Sequence, residues 1–125
     1  MKYTKEIRKP YLQHDSQWES QLLYPSRKTI GESGCLVCCF AEMLSCEDSA
    51  ISPGGLCNAL ILTRSFNSKG ELKWANLARF FPLAANLLAS GIYKLMGTAS
   101  KDGFHYVLSN KQLGIYDSQY GNWKK

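Results

Sequence analysis

The stretch Gly34-Cys35-Leu36-Val37-Cys38-Cys39-Phe40-Ala41-Glu42-Met43-Leu44 decides how the rest of the chain is read. A small-residue approach runs straight into an apolar pattern. Leu36, Cys39, Phe40, Met43 and Leu44 recur there at helical spacing, so a central helix is expected from Cys35 to about Cys46. A thiol at the start of that helix meets unpaired backbone N–H groups and the positive end of the helix dipole, and both favour a thiolate. Far downstream, His105 sits in Gly103-Phe104-His105-Tyr106-Val107-Leu108 and Asp117 in Gly114-Ile115-Tyr116-Asp117, each within a short strand-like pattern. A Cys, a His and an acid in that order are the parts of an activated cysteine nucleophile.

Working outward, residues 1–10 read as an arm and residues 11–125 as a single domain. Tyr11 to Tyr24 carries Trp18 and Leu22-Leu23 among polar residues, which suits a short helix or turn. Pro25-Ser26-Arg27-Lys28 is a loop leading to Thr29-Ile30-Gly31-Glu32-Ser33-Gly34, which delivers Cys35. Ser52-Pro53 opens a second helix, with Ser as N-cap and Pro in the first position, running to about Thr63. Leu72 to Phe81 is a third helical segment, stopped by Pro82. Beyond it, residues 91–96, 104–109 and 113–117 read as strands of an antiparallel meander, and Asn110-Lys111-Gln112 suits a hairpin connection. Helices first and strands second imply an α+β domain with a cleft between the two halves.

Composition narrows the function classes. At 125 residues the chain supports one modest core, and 45% hydrophobic with 20% charged residues describes an ordinary globular chain. No apolar run reaches the roughly 18 residues that span a bilayer. The basic start is followed by no apolar segment of the signal-peptide kind, so a cytoplasmic product is expected, or one released by lysis or carried in a particle. The net charge of +5 is spread over scattered residues. Without a dense basic stripe or a nucleic-acid motif, a solvated surface is expected rather than a nucleic-acid interface.

Five cysteines cannot all pair within one chain, and reduced thiols are expected. Cys35 and Cys39 are four apart, a spacing that makes them neighbours on one helix face but does not favour a disulfide. Cys35-x-x-Cys38-Cys39 superficially suggests zinc, yet the second ligand pair of a structural site is missing, so no metal is expected. Cys38 and Cys39 are expected to point into the core. Trp18, Trp74 and Trp123 are read as core or groove-wall residues, and His14 as a surface residue.

Several segments together resemble a known family. Gln13-His14-Asp15-Ser16-Gln17-Trp18 matches a Gln-x-Asp-x-x-Trp opening, and Thr29-Ile30-Gly31-Glu32-Ser33-Gly34-Cys35 matches a Thr-Ile-Gly-x-x-Gly-Cys approach to a nucleophile. Ser52-Pro53-Gly54-Gly55-Leu56, His105-Tyr106-Val107-Leu108 and Ile115-Tyr116-Asp117 follow in order. The set resembles the C39-like branch of papain-like cysteine peptidases, common in bacteria and their phages, over roughly residues 11 to 121. Cys38-Cys39 replaces that family's usual Thr-Ser, and Ser118 stands where Pro often follows the acid.

The resemblance implies a papain-like fold and hydrolysis of a peptide or amide bond through a thioester on Cys35, without a cofactor. It makes His105 the general base and acid and Asp117 the group that orients it. Gln13 becomes the side-chain oxyanion donor, with Gln17 and Gln21 as rivals, beside the backbone N–H of Cys35. The substrate would be a protein or leader peptide, or peptidoglycan if the chain is a phage-type lysin. The reading from another class is a non-catalytic binding or virion-structural module of the same fold.

Overall fold

A computed structural model describes residues 9–100 and 103–125. The arm expected over residues 1–10 therefore lies outside the described residues except for Lys9 and Pro10. Among the described residues the chain is α+β, with five helices followed by one antiparallel sheet of four strands in the order β1-β2-β3-β4.

The first helix, α1 (Ile30–Ser33), is a single turn within the segment that delivers Cys35, to which the sequence assigns no element. Its N-terminus is closed by a capping box. The Thr29 hydroxyl accepts from the Glu32 N–H at 3.2 Å, and the Glu32 carboxylate accepts from the Thr29 N–H at 3.2 Å. Helix α2 (Cys35–Cys46) is the expected central helix. Ten of its twelve residues are buried, as suits a helix covered on every side. It contacts β2 on one side and α3 and α5 on others.

Helix α3 (Pro53–Leu62) starts as the sequence implies, with the Ser52 hydroxyl accepting from the Gly55 N–H at 3.0 Å. Helix α4 (Trp74–Phe80) begins two residues later than expected. The reading past Pro82 needs correction: residues Pro82–Ala89 form a further helix, α5. Proline ends α4, but its fixed φ and missing N–H also suit the first position of a new helix.

The sheet comprises β1 (Lys94–Ser100), β2 (Gly103–Asn110), β3 (Gly114–Asp117) and β4 (Asn122–Lys124). β1 starts three residues later than expected, after a turn in which Gly91 has a φ of 79°. The β2–β3 hairpin forms at the expected place, with the Asn110 carboxamide oxygen accepting from the Gln112 and Leu113 N–H groups at 2.9 and 3.1 Å. β4 was not anticipated. Its three residues are held by Trp123, which is buried and packs on the Tyr116 ring at 5.6 Å between centroids.

Phe40, Met43, Leu108 and Tyr116 are all fully enclosed in the one core that α2 shares with the sheet and the other helices. Glu42 is equally enclosed. Its carboxylate accepts from the Trp123 indole N–H at 2.8 Å, the Tyr11 N–H at 3.1 Å and the Cys46 thiol at 3.6 Å. This one side chain ties the N-terminal segment, α2 and β4 together. The hydrogen bonds satisfy a carboxylate whose burial would otherwise be costly. No described helix is long and apolar enough to cross a membrane.

Candidate active site

β2 outruns β3. The β2–β3 ladder covers only Leu108 to Asn110, so residues 105–107 lie beyond the paired stretch. The N-terminal half of α2 occupies that place. The Tyr106 N–H donates to the Cys35 sulfur at 3.4 Å, and the Tyr106 carbonyl accepts from the Cys39 thiol at 3.6 Å. Residues four apart on a helix share a face, so the Cys35–Cys39 spacing lets one strand residue engage both thiols. Cys39 thus has a structural role, and Cys38 is fully buried as expected.

Cys35 is the first residue of α2, and Gly34 makes that placement possible. A Cβ at residue 34 would lie 2.6 Å from the Ile30 carbonyl oxygen and 2.7 Å from Ile30 Cα, a clash with backbone that cannot swing away. The glycine permits the abrupt step from α1 to α2 that brings Cys35 to the strand.

Register brings the other two residues together. Leu108 and Tyr116 are partners across β2 and β3, and both are buried. Alternation along a strand then puts His105, three residues before Leu108, and Asp117, one after Tyr116, on the opposite face. His105 Nε2 lies 2.9 Å from Asp117 Oδ1, and the same oxygen accepts from the Gln119 N–H at 3.0 Å. With Nε2–H given to the carboxylate, Nδ1 is the nitrogen left to accept a proton.

Gln13 is buried, and its amide is engaged at both ends. Its Nε2 donates to the Ile30 and Gly31 carbonyls at 3.0 and 3.1 Å, and its Oε1 accepts from the Ser118 hydroxyl at 2.7 Å. The Gln13 N–H also donates to the Ser118 carbonyl at 2.8 Å. Gln13 therefore clasps α1 to the end of β3 next to Asp117. Of its rivals, Gln21 donates to Gly54 O and Asn58 Oδ1 on α3 at 3.1 and 2.7 Å, and Gln17 is exposed. Gln13 alone of the three lines the cleft described next.

That cleft, about 710 Å³ in volume, is lined by Cys35, His105, Gln13, Tyr106 and Gln119 on the helix-start and sheet side. The far wall is the segment Lys69 to Leu72 together with Trp74. The wall is braced from within: Asn67 Oδ1 accepts from the Lys69 and Glu71 N–H groups at 2.9 and 3.0 Å, and Phe66 bridges to Leu72. Gly70 supplies the positive φ of 78° at its tip. Trp74 is 48% exposed, with its ring edge-on to Phe40. Its place on the wall agrees with the groove-wall reading. His14 is exposed, in agreement with the surface reading, and it also lines the cleft with Gln13 and Glu32. Adjacency to Gln13 was the available signal for the latter.

Burial pushes the Cys35 thiol above its ordinary range. The N–H groups of Tyr106, Leu36 and Cys35 itself pull it down, and the Asp117 carboxylate adds a lesser upward push. The helix-start N–H groups thus act on the sulfur in the expected direction, but enclosure outweighs them, and the resting group is a thiol. The deeper Cys38 and Cys39 are raised further by the same cause, and Cys57 is pushed up to about 11. None of the five cysteines is joined in a disulfide. Among the described residues no group of three or more His, Cys, Asp or Glu side chains is gathered to hold a metal ion.

No family model matches the chain, and neither a curated protein nor a solved structure does.

Proposed function

We propose that this α+β chain is a papain-like cysteine peptidase of the C39-like kind, hydrolysing a peptide or other amide bond through a thioester on Cys35. One observation carries the reading. Cys35 and His105 line one cleft, Asp117 is bonded to His105 from outside that lining, and the residue after His105 donates its N–H to the Cys35 sulfur.

In this mechanism Cys35 rests as a thiol, because enclosure holds its proton in place. His105 Nδ1 takes that proton as the sulfur bonds to the substrate carbonyl carbon. The carbonyl oxygen becomes an oxyanion facing the Cys35 N–H at the start of α2. Gln13 serves as second donor by exchanging its 3.1 Å bond to the Gly31 carbonyl for one to the oxyanion. As the C–N bond breaks, His105 returns the proton to the leaving amine. It then takes a proton from water, whose oxygen attacks the thioester, releasing the acid and restoring the thiol. Asp117 keeps the imidazole in the tautomer that leaves Nδ1 open.

The reading as a non-catalytic module is favoured by the fully engaged Gln13 amide, which offers no donor until a bond is exchanged. Incubation of the full chain with a mixed peptide library and with purified peptidoglycan, against Cys35→Ala, separates the two. New amine and carboxylate ends that depend on Cys35 support the peptidase and show which substrate it cuts. Products from neither, or products equal in both proteins, overturn it.

A further inference from the structure

A small apolar recess opens off the cleft floor beside the nucleophile. Ser33, Leu36, Gly70 and Leu72 belong to both the recess and the cleft and form its mouth. Val37, Phe40 and Leu60 are among the residues that close it, and all three are buried. Leu36 directly follows Cys35, so the mouth is one residue from the reacting sulfur. The recess holds about 20 Å³. By the same measure one water needs roughly 10–15 Å³, so there is room for one methyl-sized group. A water there would meet few polar partners, which leaves an alkyl group as the fitting occupant.

We infer that this recess is a specificity subsite that takes a small alkyl side chain, of alanine size, from a substrate residue near the scissile amide. The inference rests on the peptidase reading, because the cleft orients a substrate only if Cys35 is the point of attack. Size does the selecting. A methyl group that enters the recess leaves water, worth about fourfold in binding over a glycine that leaves it empty. A leucine or phenylalanine side chain would have to spread Val37, Phe40 and Leu60, and overpacking of that kind costs about tenfold or more. Gly70 at the mouth is in a backbone conformation that L residues rarely adopt, and a Cβ there would sit 3.4 Å from Leu23 and 3.2 Å from the Ser26 hydroxyl.

The test uses tripeptidyl vinyl sulfones with Gly, Ala, Val, Leu or Phe at one position at a time. The Cys35 sulfur bonds to the vinyl β-carbon, and the α-carbon takes up the proton, so nothing leaves. The second-order rate of Cys35 labelling is read by mass spectrometry. At one position Ala should react about fourfold faster than Gly and about tenfold or more faster than Leu and Phe. Val37→Ala, which enlarges the recess, should move the optimum to Val or Leu. Val37→Ile, which fills it, should erase the advantage of Ala over Gly. Labelling of Cys35 with no dependence on size at any position overturns the subsite and leaves the peptidase reading standing. No labelling of Cys35 by any member overturns both. A wild-type preference for Leu or Phe also overturns the subsite, whether or not the Val37 variants fold.

Discussion

Substituting Asp117 separates the charge of the orienting group from its geometry. Asp117 Oδ1 accepts both the His105 Nε2–H and the Gln119 N–H, at 2.9 and 3.0 Å. In Asp117→Asn the carboxamide oxygen can keep both bonds, so only the charge is lost. A hydrogen bond to a charged group contributes about 1.5–3 kcal/mol and a neutral one about 0.5–1.5 kcal/mol. The difference of about 1–1.5 kcal/mol corresponds to a slowing of about 5- to 13-fold. Asp117→Ala removes the whole bond, about 1.5–3 kcal/mol, or about 13- to 160-fold.

An opposing effect has to be weighed. The Asp117 carboxylate also helps hold the Cys35 thiol protonated, so removing it makes the thiolate easier to form. That influence is the smallest of those acting on the sulfur, well behind burial. The loss of imidazole orientation should therefore win. The assay is the rate of Cys35 carbamidomethylation by iodoacetamide at pH 7, read on the Cys35 peptide, with thermal melting run alongside. The expected order is wild type, then Asp117→Asn, then Asp117→Ala, with little change in melting temperature because both groups are partly exposed. Asp117→Ala reacting as fast as wild type, or faster, would refute the orienting role.

Three further outcomes are expected. Glu42→Ala leaves the Trp123 indole and the Tyr11 N–H without their carboxylate and should cost about 3 kcal/mol in urea unfolding; a change below about 1 kcal/mol would contradict its tying role. Ser118→Ala removes the 2.7 Å bond to the buried Gln13 amide oxygen and should cost about 1–3 kcal/mol, whereas unchanged stability would mean the clasp holds nothing. The raised thiols make stability fall with alkali. Folded Cys57, pushed up to about 11, keeps a proton that the unfolded chain releases near 9, and Cys38 and Cys39 act in the same direction. The contribution is complete below about pH 8.5 and is lost as pH rises through the folded value, so melting temperature should decline steadily above pH 9; a flat profile to pH 11 would exclude it.

Much of the fold is written in local chemistry. The apolar run after Gly34 defines α2, Ser52-Pro53 marks the start of α3, and the Asn110 turn sets the β2–β3 hairpin. The misses have equally local causes. Pro82 ends one helix and begins another, and the same residue suits both. The capping box Thr29-x-x-Glu32 is visible in the sequence, but the helix it opens is a single turn with no apolar period of its own. β4 is too short for any pattern, and its strand pairing comes from Trp123 finding Tyr116. Glu42 could not be placed from sequence because its partners come from residues 11, 46 and 123.

The candidate site divides in the same way. The parity of His105 and Asp117 against Leu108 and Tyr116 is legible once the hairpin is accepted. The protonation of Cys35 is not, because a helix start argues for thiolate while enclosure by distant segments argues against it. Gln13 was marked by its position before Trp18, but its bonds to Ile30, Gly31 and Ser118 depend on how three segments meet.

The most direct measurement is the alkylation rate of each of the five cysteines as a function of pH, by peptide mass spectrometry, in wild type and in His105→Ala. Assignment of Cys35 as nucleophile and His105 as its base predicts that Cys35 reacts first, since it alone of the five lines the cleft. Below about pH 8, where an ordinary thiol is mostly protonated, its rate should depend on His105. The two proteins should converge at high pH, where the thiolate forms without help. Equal Cys35 rates in both proteins at every pH, or a Cys35 no more reactive than its buried neighbours, would contradict the assignment.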